Sequence, residues 1–538
     1  MTIGEKIIKL RTAHNISQEE FADRLNISRQ SVSKWEMDQA LPQIEKLLKI
    51  CEIFSVSADE LLRDDVEIKI VNSNVKNKYF GTDGFRGEAN ISLNSLQAYK
   101  VGRFVGWYYS KLLRDKGKIG VRPKVVIGKD TRRSSYMLEY SIAAGLSASG
   151  ADVYMLHVTT TPSISYITRL DEFDCGIMIT ASHNPYYDNG IKIINQYGEK
   201  LDNETTSLIE AYLDGDIKRI GLLEGDIPFA VKDKIGSIVD YFSGRNRYIA
   251  YLISLASHSY KNFKIGLDCA NGSSWMIAKS VFSALGAQVE TSGVEPNGLN
   301  INENCGSTHI ENLQKLVREK HLDFGFTFDG DCDRCFAVDE KGQVVNGDKI
   351  LYILAKRLKN RGMLNKNTVV STIMSNTALI QSLEKLGIKS VQTTVGDRFV
   401  YESMQKNNYS LGGEDSGHII LKKYATTGDG LLTAIMLTEE LCDTKLPLSK
   451  LHEDMELYPQ YLLNVKVENK KEILNDEMVK LAVKEVQQLI SNNGKVLLRA
   501  SGTEPVVRIM IEYNDINLCK QYAEKIKSVM VSRDYIND

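Results

Sequence analysis

The chain has 538 residues, too many for one hydrophobic core, so roughly three to five domains are expected. Its 67 Lys and Arg residues against 69 Asp and Glu leave a net charge of −2, which excludes a global field toward nucleic acid or membrane. No apolar run reaches the length of a membrane span, and the eight cysteines lack framework spacing, which fits a reducing cytoplasm.

In chain order, Met1 to Arg11 reads as an amphipathic helix with Lys6, Lys9 and Arg11, not as a signal peptide. Ser17 with Glu20 three positions on spells a capping box. It opens a helix from Gln18 to Leu25 with Phe21, Ala22 and Leu25 on one face. A turn at Asn26 and Ile27 leads to a second helix starting at Ser28, which carries Val32 and Trp35 inward, and a third runs from Ile44 to Phe54. The string from Ile16 through Glu36 resembles the phage-repressor helix-turn-helix family. The resemblance implies a major-groove helix opening at Ser28, with Arg29, Gln30 and Ser33 facing base edges and Gln18 reaching a phosphate. Glu19, Glu20, Asp23, Glu36 and Asp38 offset the local cations, so nonspecific affinity for DNA is expected to be weak unless a dimer reads a palindrome. An interaction module without DNA binding is the alternative.

Residues 64–77 are polar and read as a linker, with a short strand at Val66 to Val71. Beyond Tyr79, apolar runs such as Val125-Val126-Ile127, Ile177-Met178-Ile179 and Ile265-Gly266-Leu267 alternate with helical stretches, which argues for α/β layers. Cys175 to Ile179 reads as a buried strand. Pro185 keeps a helix from starting at Asn184, Asn189-Gly190 marks a turn, and Ile191 to Ile194 returns as a strand, so Ser182 sits on a loop beyond a strand end.

Phe324, Phe326 and Phe328 alternate in a strand that delivers Asp329, Asp331 and Asp333. In an extended segment these carboxylates face one side, and three together repel unless a cation joins them. Oxygen-only donors favour Mg²⁺ over zinc, and the spacing of an EF-hand is absent. Cys332 and Cys335 match a C-x-x-C spelling, but no second pair accompanies them, and the spacing is read as chance. Gly412 to His418 is glycine-rich, with Glu414 and Ser416 able to accept from and donate to sugar hydroxyls. His418 is a candidate general acid/base. Near the end, Arg499 and Arg508 sit on strands flanking Ser501, Gly502 and Thr503, a strand–loop–strand unit suited to gripping phosphate.

Thr180-Ala181-Ser182-His183-Asn184-Pro185, followed by Tyr186 to Lys192, resembles the active-serine segment of the α-D-phosphohexomutases, and the resemblance runs from Phe80 to near the C-terminus. Phe80 to Gly87, Gly413 to His418, Asn297 to Asn302 and Cys305 to His309 point to the phosphoglucosamine mutase branch, although Asp415 departs from the glutamine expected there. The resemblance implies that Ser182 carries the phosphoryl group, and that Asp329, Asp331, Asp333 and a phosphate oxygen on Ser182 hold Mg²⁺. Lys192 is then placed to help proton transfer or steady the phosphoryl group and Arg86 is a site cation, with Arg334, Glu414, Ser416, Arg499, Ser501, Gly502, Thr503 and Arg508 on the substrate. Gly128 to Ser135 is expected to support the serine loop or a phosphate.

The expected architecture is multidomain: an all-α helix-turn-helix domain over 1–63, the linker, then three α/β mixed-sheet domains and a C-terminal α+β domain. These cover 78–230 with the serine loop, 231–336 with the metal loop, 337–450 with the sugar loop and 451–538 with the phosphate loop. The expected activity is an intramolecular phosphotransferase (an isomerase) that interconverts hexose 6- and 1-phosphates, with glucosamine phosphate the favoured substrate. A phosphoglucomutase or phosphomannomutase is the first alternative, and a regulator that senses sugar phosphate is the second. A homodimer is left open.

Overall fold

The computed structural model describes the chain apart from residues 1, 14–15, 26, 55, 57, 64–77, 492, 501–505, 534 and 536–538. The expected linker and its short strand, and Ser501, Gly502 and Thr503 of the expected phosphate loop, lie outside the described residues. The chain divides into two compact units, one of residues 1–81 with 201–226, the other of 82–200 with 227–538. Among the described residues no helix is long and apolar enough to cross a membrane.

The first unit opens with helices Ile3–Ala13, Gln18–Leu25, Arg29–Glu36, Ile44–Phe54 and Ala58–Leu62. Ser28 caps the third by accepting from the Ser31 amide, so that hydroxyl is occupied by the helix start. Phe21, Leu25, Val32, Ile50 and Phe54 close a common core, with the Phe21 and Phe54 rings 5.2 Å apart. Each such side chain contributes about 1.5–3 kcal/mol by leaving water. Buried Glu36 accepts from Arg11 Nε (2.5 Å) and from Gln18 Nε2 (2.6 Å). Gln18 therefore braces the helix pair, in contrast to the phosphate contact expected of it. In the same unit, helix Asn203–Leu213 presents Glu210, which accepts the backbone amides of Lys78, Tyr79 and Phe80.

In the second unit, the strands Gly84–Glu88, Asp188–Asn195, Cys175–Ile179, Lys124–Lys129, Asp152–Val158 and Ile238–Asp240 follow one another across the first sheet. The first two pairings are antiparallel and the rest parallel, which brings the serine loop to the end of a central strand. A second sheet runs Val344–Val345, Cys335–Val338, Phe324–Phe328, Lys264–Asp268, Gln288–Ser292. A third runs Lys389–Thr393, Thr368–Thr372, Leu411–Gly413, Ile419–Leu421, and a three-stranded antiparallel sheet closes the chain. Ile238–Asp240 pairs with the first sheet beyond residue 230, and the break at 336 falls inside Cys335–Val338, which hairpins back onto Phe324–Phe328.

The second and third sheets share one hydrophobic core around helix Gly430–Thr444, which is buried from Gly430 through Leu441. The last domain has its own core and docks through polar contacts. Lys495 Nζ donates to the carbonyls of Ile373 and Ser375, and buried Glu512 accepts from the Thr377 amide at 2.8 Å. A polar interface of this kind suits movement of that domain.

Glu36→Ala leaves Arg11 and Gln18 without their shared acceptor, and is expected to lower the stability of the helical domain by about 2–4 kcal/mol. Hydrogen exchange on the full chain should show lost protection in Gln18–Leu25 with the sheets unchanged.

Candidate active site

Two loops meet at Ser182. The strand Cys175–Ile179 is apolar throughout and buried, so its polar successor Thr180-Ala181-Ser182 is carried to the sheet edge. Ser182 is left-handed, with φ +51, and is stabilised there because its amide donates to Thr180 Oγ1 at 2.9 Å. Its Oγ lies 2.5 Å from Asp329 Oδ2 and 3.4 Å from His183 Nδ1. The Ser182 carbonyl accepts from Arg132 Nη2 (3.2 Å) and Asn302 Nδ2 (2.9 Å), and the same two side chains donate to the Asn184 carbonyl. Arg132 is itself fixed by buried Asp130.

The metal loop reaches Ser182 by close backbone approach. A Cβ on Gly330 would stand 2.5 Å from the Ser182 carbonyl oxygen, so only glycine fits. The chain after Phe328 is a turn and not an extended strand. Cys332 is left-handed at φ +62, and this reversal, not a pleat, brings the three carboxylates together. Ala270, Asn271 and Asn302 share the left-handed conformation nearby. For Ser182, Ala270 and Cys332 this costs roughly 1–2 kcal/mol each, a concentration of strain typical of functional loops. Cys332 and Cys335 are buried free thiols whose pKa values burial pushes well up, which removes a redox or thiolate-ligand role.

Oxygens of Asp329, Asp331 and Asp333 lie within 4.8 Å of one another. Burial, then Asp333 and Asp331, push Asp329 well above the usual carboxylate range. For Asp333, burial opposes the charge, but Lys192, His418 and Arg334 hold it well below. Lys192 Nζ bonds Asp331 Oδ2 (2.7 Å) and Asp333 Oδ2 (3.0 Å), and Thr161 Oγ1 also donates to Asp331. Asp331 Oδ1 and Asp333 Oδ1 are buried without a hydrogen-bond partner. Unpartnered buried carboxylate oxygens are costly, and a hard cation is the group that fits them.

A ring of alternating charge surrounds this centre. Arg86 pairs with Asp83 at 2.8 Å, and Lys200 joins Asp83 (2.8 Å) to Asp397 (2.6 Å). Arg334 donates its amide to Asp329, and its guanidinium pKa is raised because Asp329, Asp333 and Asp83 outweigh the burial that opposes its charge. The Nε atoms of Arg86 and Arg334 and the Oγ of Ser416 are buried without partners, donors left for a ligand. Burial, with Arg334 and Arg86, pushes His183 down to about 4, so it is neutral at pH 7.

Glu414 accepts from the Gly396 amide at 3.0 Å, and burial raises its pKa. His418 differs from expectation. It is buried, Gly428 N–H donates to Nε2 (2.9 Å), Asp397 lies 3.3 Å from the same nitrogen, and Nδ1 faces Asp333 at 3.8 Å. Burial opposes its charge, while Asp397, Asp333 and Glu414 push its pKa up to about 9. The Gly428 contact needs a lone pair on Nε2 and fits the neutral ring, its proton on Nδ1 toward Asp333. The ring is buried against the metal loop. Arg499 and Arg508 are direct cross-strand partners. Burial and then Arg508 lower the Arg499 pKa, because the two like charges stand side by side.

Sequence reasoning missed Asn302, Thr161, Asp83, Lys200 and Asp397. Asn302 lies in a segment noted only for resemblance, and no local pattern marks a side chain that acts 120 residues away.

Sequence models of the phosphoglucomutase/phosphomannomutase family match the chain: alpha/beta/alpha domain I at residues 77–219, domain II at 246–342, domain III at 346–458 and the C-terminal domain at 462–529. A helix-turn-helix model matches residues 7–61. The phosphoglucosamine mutase of Lachnospira eligens is 54% identical over 458 residues, covering 85% of this chain and 99% of the relative. That of Bacillus subtilis is 48% identical over 455 residues, covering 85% and 98%. Among solved structures, a phosphoglucomutase/phosphomannomutase family protein from Burkholderia thailandensis superposes with a TM-score of 0.68 at 21% identity, over 85% of this chain and 97% of that one. Aspergillus fumigatus N-acetylphosphoglucosamine mutase, solved with GlcNAc-6P and magnesium, gives 0.60 at 16%, over 85% and 96%. At these identities the structures speak for the fold, and the curated relatives for the family. The chain belongs to the phosphoglucosamine mutases of the phosphohexomutase family, with a helix-turn-helix segment added before the four mutase domains.

Proposed function

We propose that the protein moves a phosphoryl group between the 6- and 1-positions of glucosamine phosphate through phospho-Ser182. The observation that carries this reading is Ser182 Oγ, 2.5 Å from Asp329, beside two aspartate oxygens that have no partner. A sugar O–P bond forms as the free hydroxyl attacks, the Oγ–P bond of phospho-Ser182 breaks, and the hydroxyl's proton ends on Ser182 Oγ. The bisphosphate turns over, and its other phosphoryl group returns to Ser182. His183, neutral and 3.4 Å from Oγ, is placed to exchange the serine proton. Lys192 is held charged by three carboxylates, so it neutralises phosphoryl charge and does not act as a base.

Asp329, Asp331 and Asp333, with an oxygen on Ser182, would hold Mg²⁺, which supplies Lewis-acid neutralisation of the phosphoryl group. Arg86, Arg334, Glu414 and Ser416 receive the sugar phosphate, and Arg499 and Arg508 grip the phosphate that is not reacting. In this reading His418 is a positioning residue for Asp333. Domain limits follow the sheets, with the second domain running through Val344–Val345, and the reaction is placed in the cytoplasm.

A second activity rests on the helix-turn-helix segment. Arg29, Gln30 and Lys34 are exposed on helix Arg29–Glu36, with Ser33 half-buried beside them, a face suited to base edges. With Gln18 and Ser28 engaged inside the domain, the DNA contact falls mainly to Arg29, Gln30 and Ser33.

Ser182→Ala is expected to reduce turnover on the order of a thousandfold or more. Chelation should abolish activity and Mg²⁺ restore it. Asn302→Ala, which frees the serine loop, should lower kcat about ten- to a hundredfold with a smaller change in KM. A coupled assay with glucosamine, glucose and mannose phosphates checks all three, and faster turnover of glucose or mannose phosphate would overturn the substrate assignment. Footprinting of the DNA upstream of the protein's own reading frame should show protection that Arg29→Ala removes. No protection at moderate salt would leave the domain as an interaction module.

A further inference from the structure

Apart from the serine cleft, a cavity of about 490 Å³ gathers chemistry that the mutase reaction leaves unused. Arg133, Tyr136, His157, Arg245, Trp275 and Gly298 are among its lining residues. Its size is that of ordinary small-molecule sites.

His157 is the built feature. The pairing of Lys124–Lys129 with Asp152–Val158 shifts register so that Ile127 faces Met155 and Gly128 faces His157, which leaves Leu156 as an extra residue. Such a bulge re-aims the side chain that follows it. His157 has φ +57, a left-handed conformation that a histidine adopts at a cost, and its Nε2 is 3.0 Å from Asp240. Its Nδ1 faces Glu139 Oε1 at 3.8 Å, a fully buried oxygen without a hydrogen-bond partner. The other Glu139 oxygen is taken by buried Lys129, so these carboxylates are committed to holding Lys129 and His157.

Neither Arg133 nor Arg245 forms an ion pair among the described residues; Arg245 lies over the Phe242 ring, 6.0 Å from its centroid, and the Arg133 amide donates to the Gly298 carbonyl at 3.0 Å. Trp275 supplies a flat aromatic face in the same cavity, and Tyr136 a second, its other face covered by Lys129 Nζ at 4.2 Å from the ring centroid. Two guanidinium groups without a carboxylate partner and two aromatic rings together match a ligand with a phosphate at one end and a planar ring at the other.

We propose that this cavity binds a nucleoside phosphate, with the phosphate at Arg133 and Arg245 and the base against Trp275 and Tyr136. The site is separate from the serine chemistry, although its wall includes residues next to Arg132, which holds the Ser182 loop.

The test is calorimetric titration of the full-length protein with adenosine and uridine 5′-monophosphates, with inorganic phosphate and glucosamine 6-phosphate as further arms. At least one nucleotide should bind. Arg245→Ala should weaken it by about tenfold or more, as should Trp275→Leu. His157→Gly, which the left-handed backbone accepts, guards against misfolding and should also weaken binding, while Ser182→Ala should leave it intact. The proposal falls if neither nucleotide binds at millimolar concentration, if Arg245→Ala binds as the parent does, or if inorganic phosphate alone binds as tightly. It also falls if glucosamine 6-phosphate displaces the nucleotide.

Discussion

The structure turns on one close approach: a left-handed serine loop pressed against an acidic turn. Neither loop can hold that position alone. Ser182 sits in a conformation that disfavours a β-carbon, and the turn at Asp329 to Asp333 concentrates like charge in a buried place. Each is fixed by long-range partners: Arg132 and Asn302 clamp the serine carbonyl, Lys192 and Thr161 hold Asp331, and Gly330 lets the two backbones touch. Positioning of this kind is what phosphoryl transfer needs, because the reaction calls for alignment and charge neutralisation more than for covalent invention.

Electrostatics then organises the rest of the cleft. Half-buried cations and carboxylates alternate from Arg86 through Asp83 and Lys200 to Asp397, and buried ones from Lys192 through Asp333 to His418. The atoms left over, on Asp331, Asp333, Arg86, Arg334 and Ser416, are those a metal ion and a sugar phosphate would satisfy. The last domain, tied by Lys495 and Glu512, carries the Arg499–Arg508 pair and can move without breaking a hydrophobic core.

Local signals were readable in the sequence where chain geometry is local. The helices Gln18–Leu25 and Ile44–Phe54 and the strand Cys175–Ile179 follow from apolar period, capping residues and the nearby proline. The acidic spacing at Asp329, Asp331 and Asp333 also announced itself, but for a different reason than alternation, since Cys332 reverses the chain. What stayed hidden is tertiary. Asn302 reaches Ser182 across two domains, Gln18 turns inward to Glu36, and His418 is buried between Asp397 and Gly428. The sheet limits were hidden too, because Ile238–Asp240 and Cys335–Val338 join sheets that precede them in the chain. No window of sequence shows such partners.

The most direct test of this account is to locate the phosphoryl group. Incubation with a hexose 1,6-bisphosphate and Mg²⁺, followed by peptide mass spectrometry, should place one phosphoryl group on Ser182, and addition of unlabelled hexose 6-phosphate should chase it into sugar bisphosphate. A phosphoryl group on another residue, or steady turnover with Ser182 never modified, would contradict it.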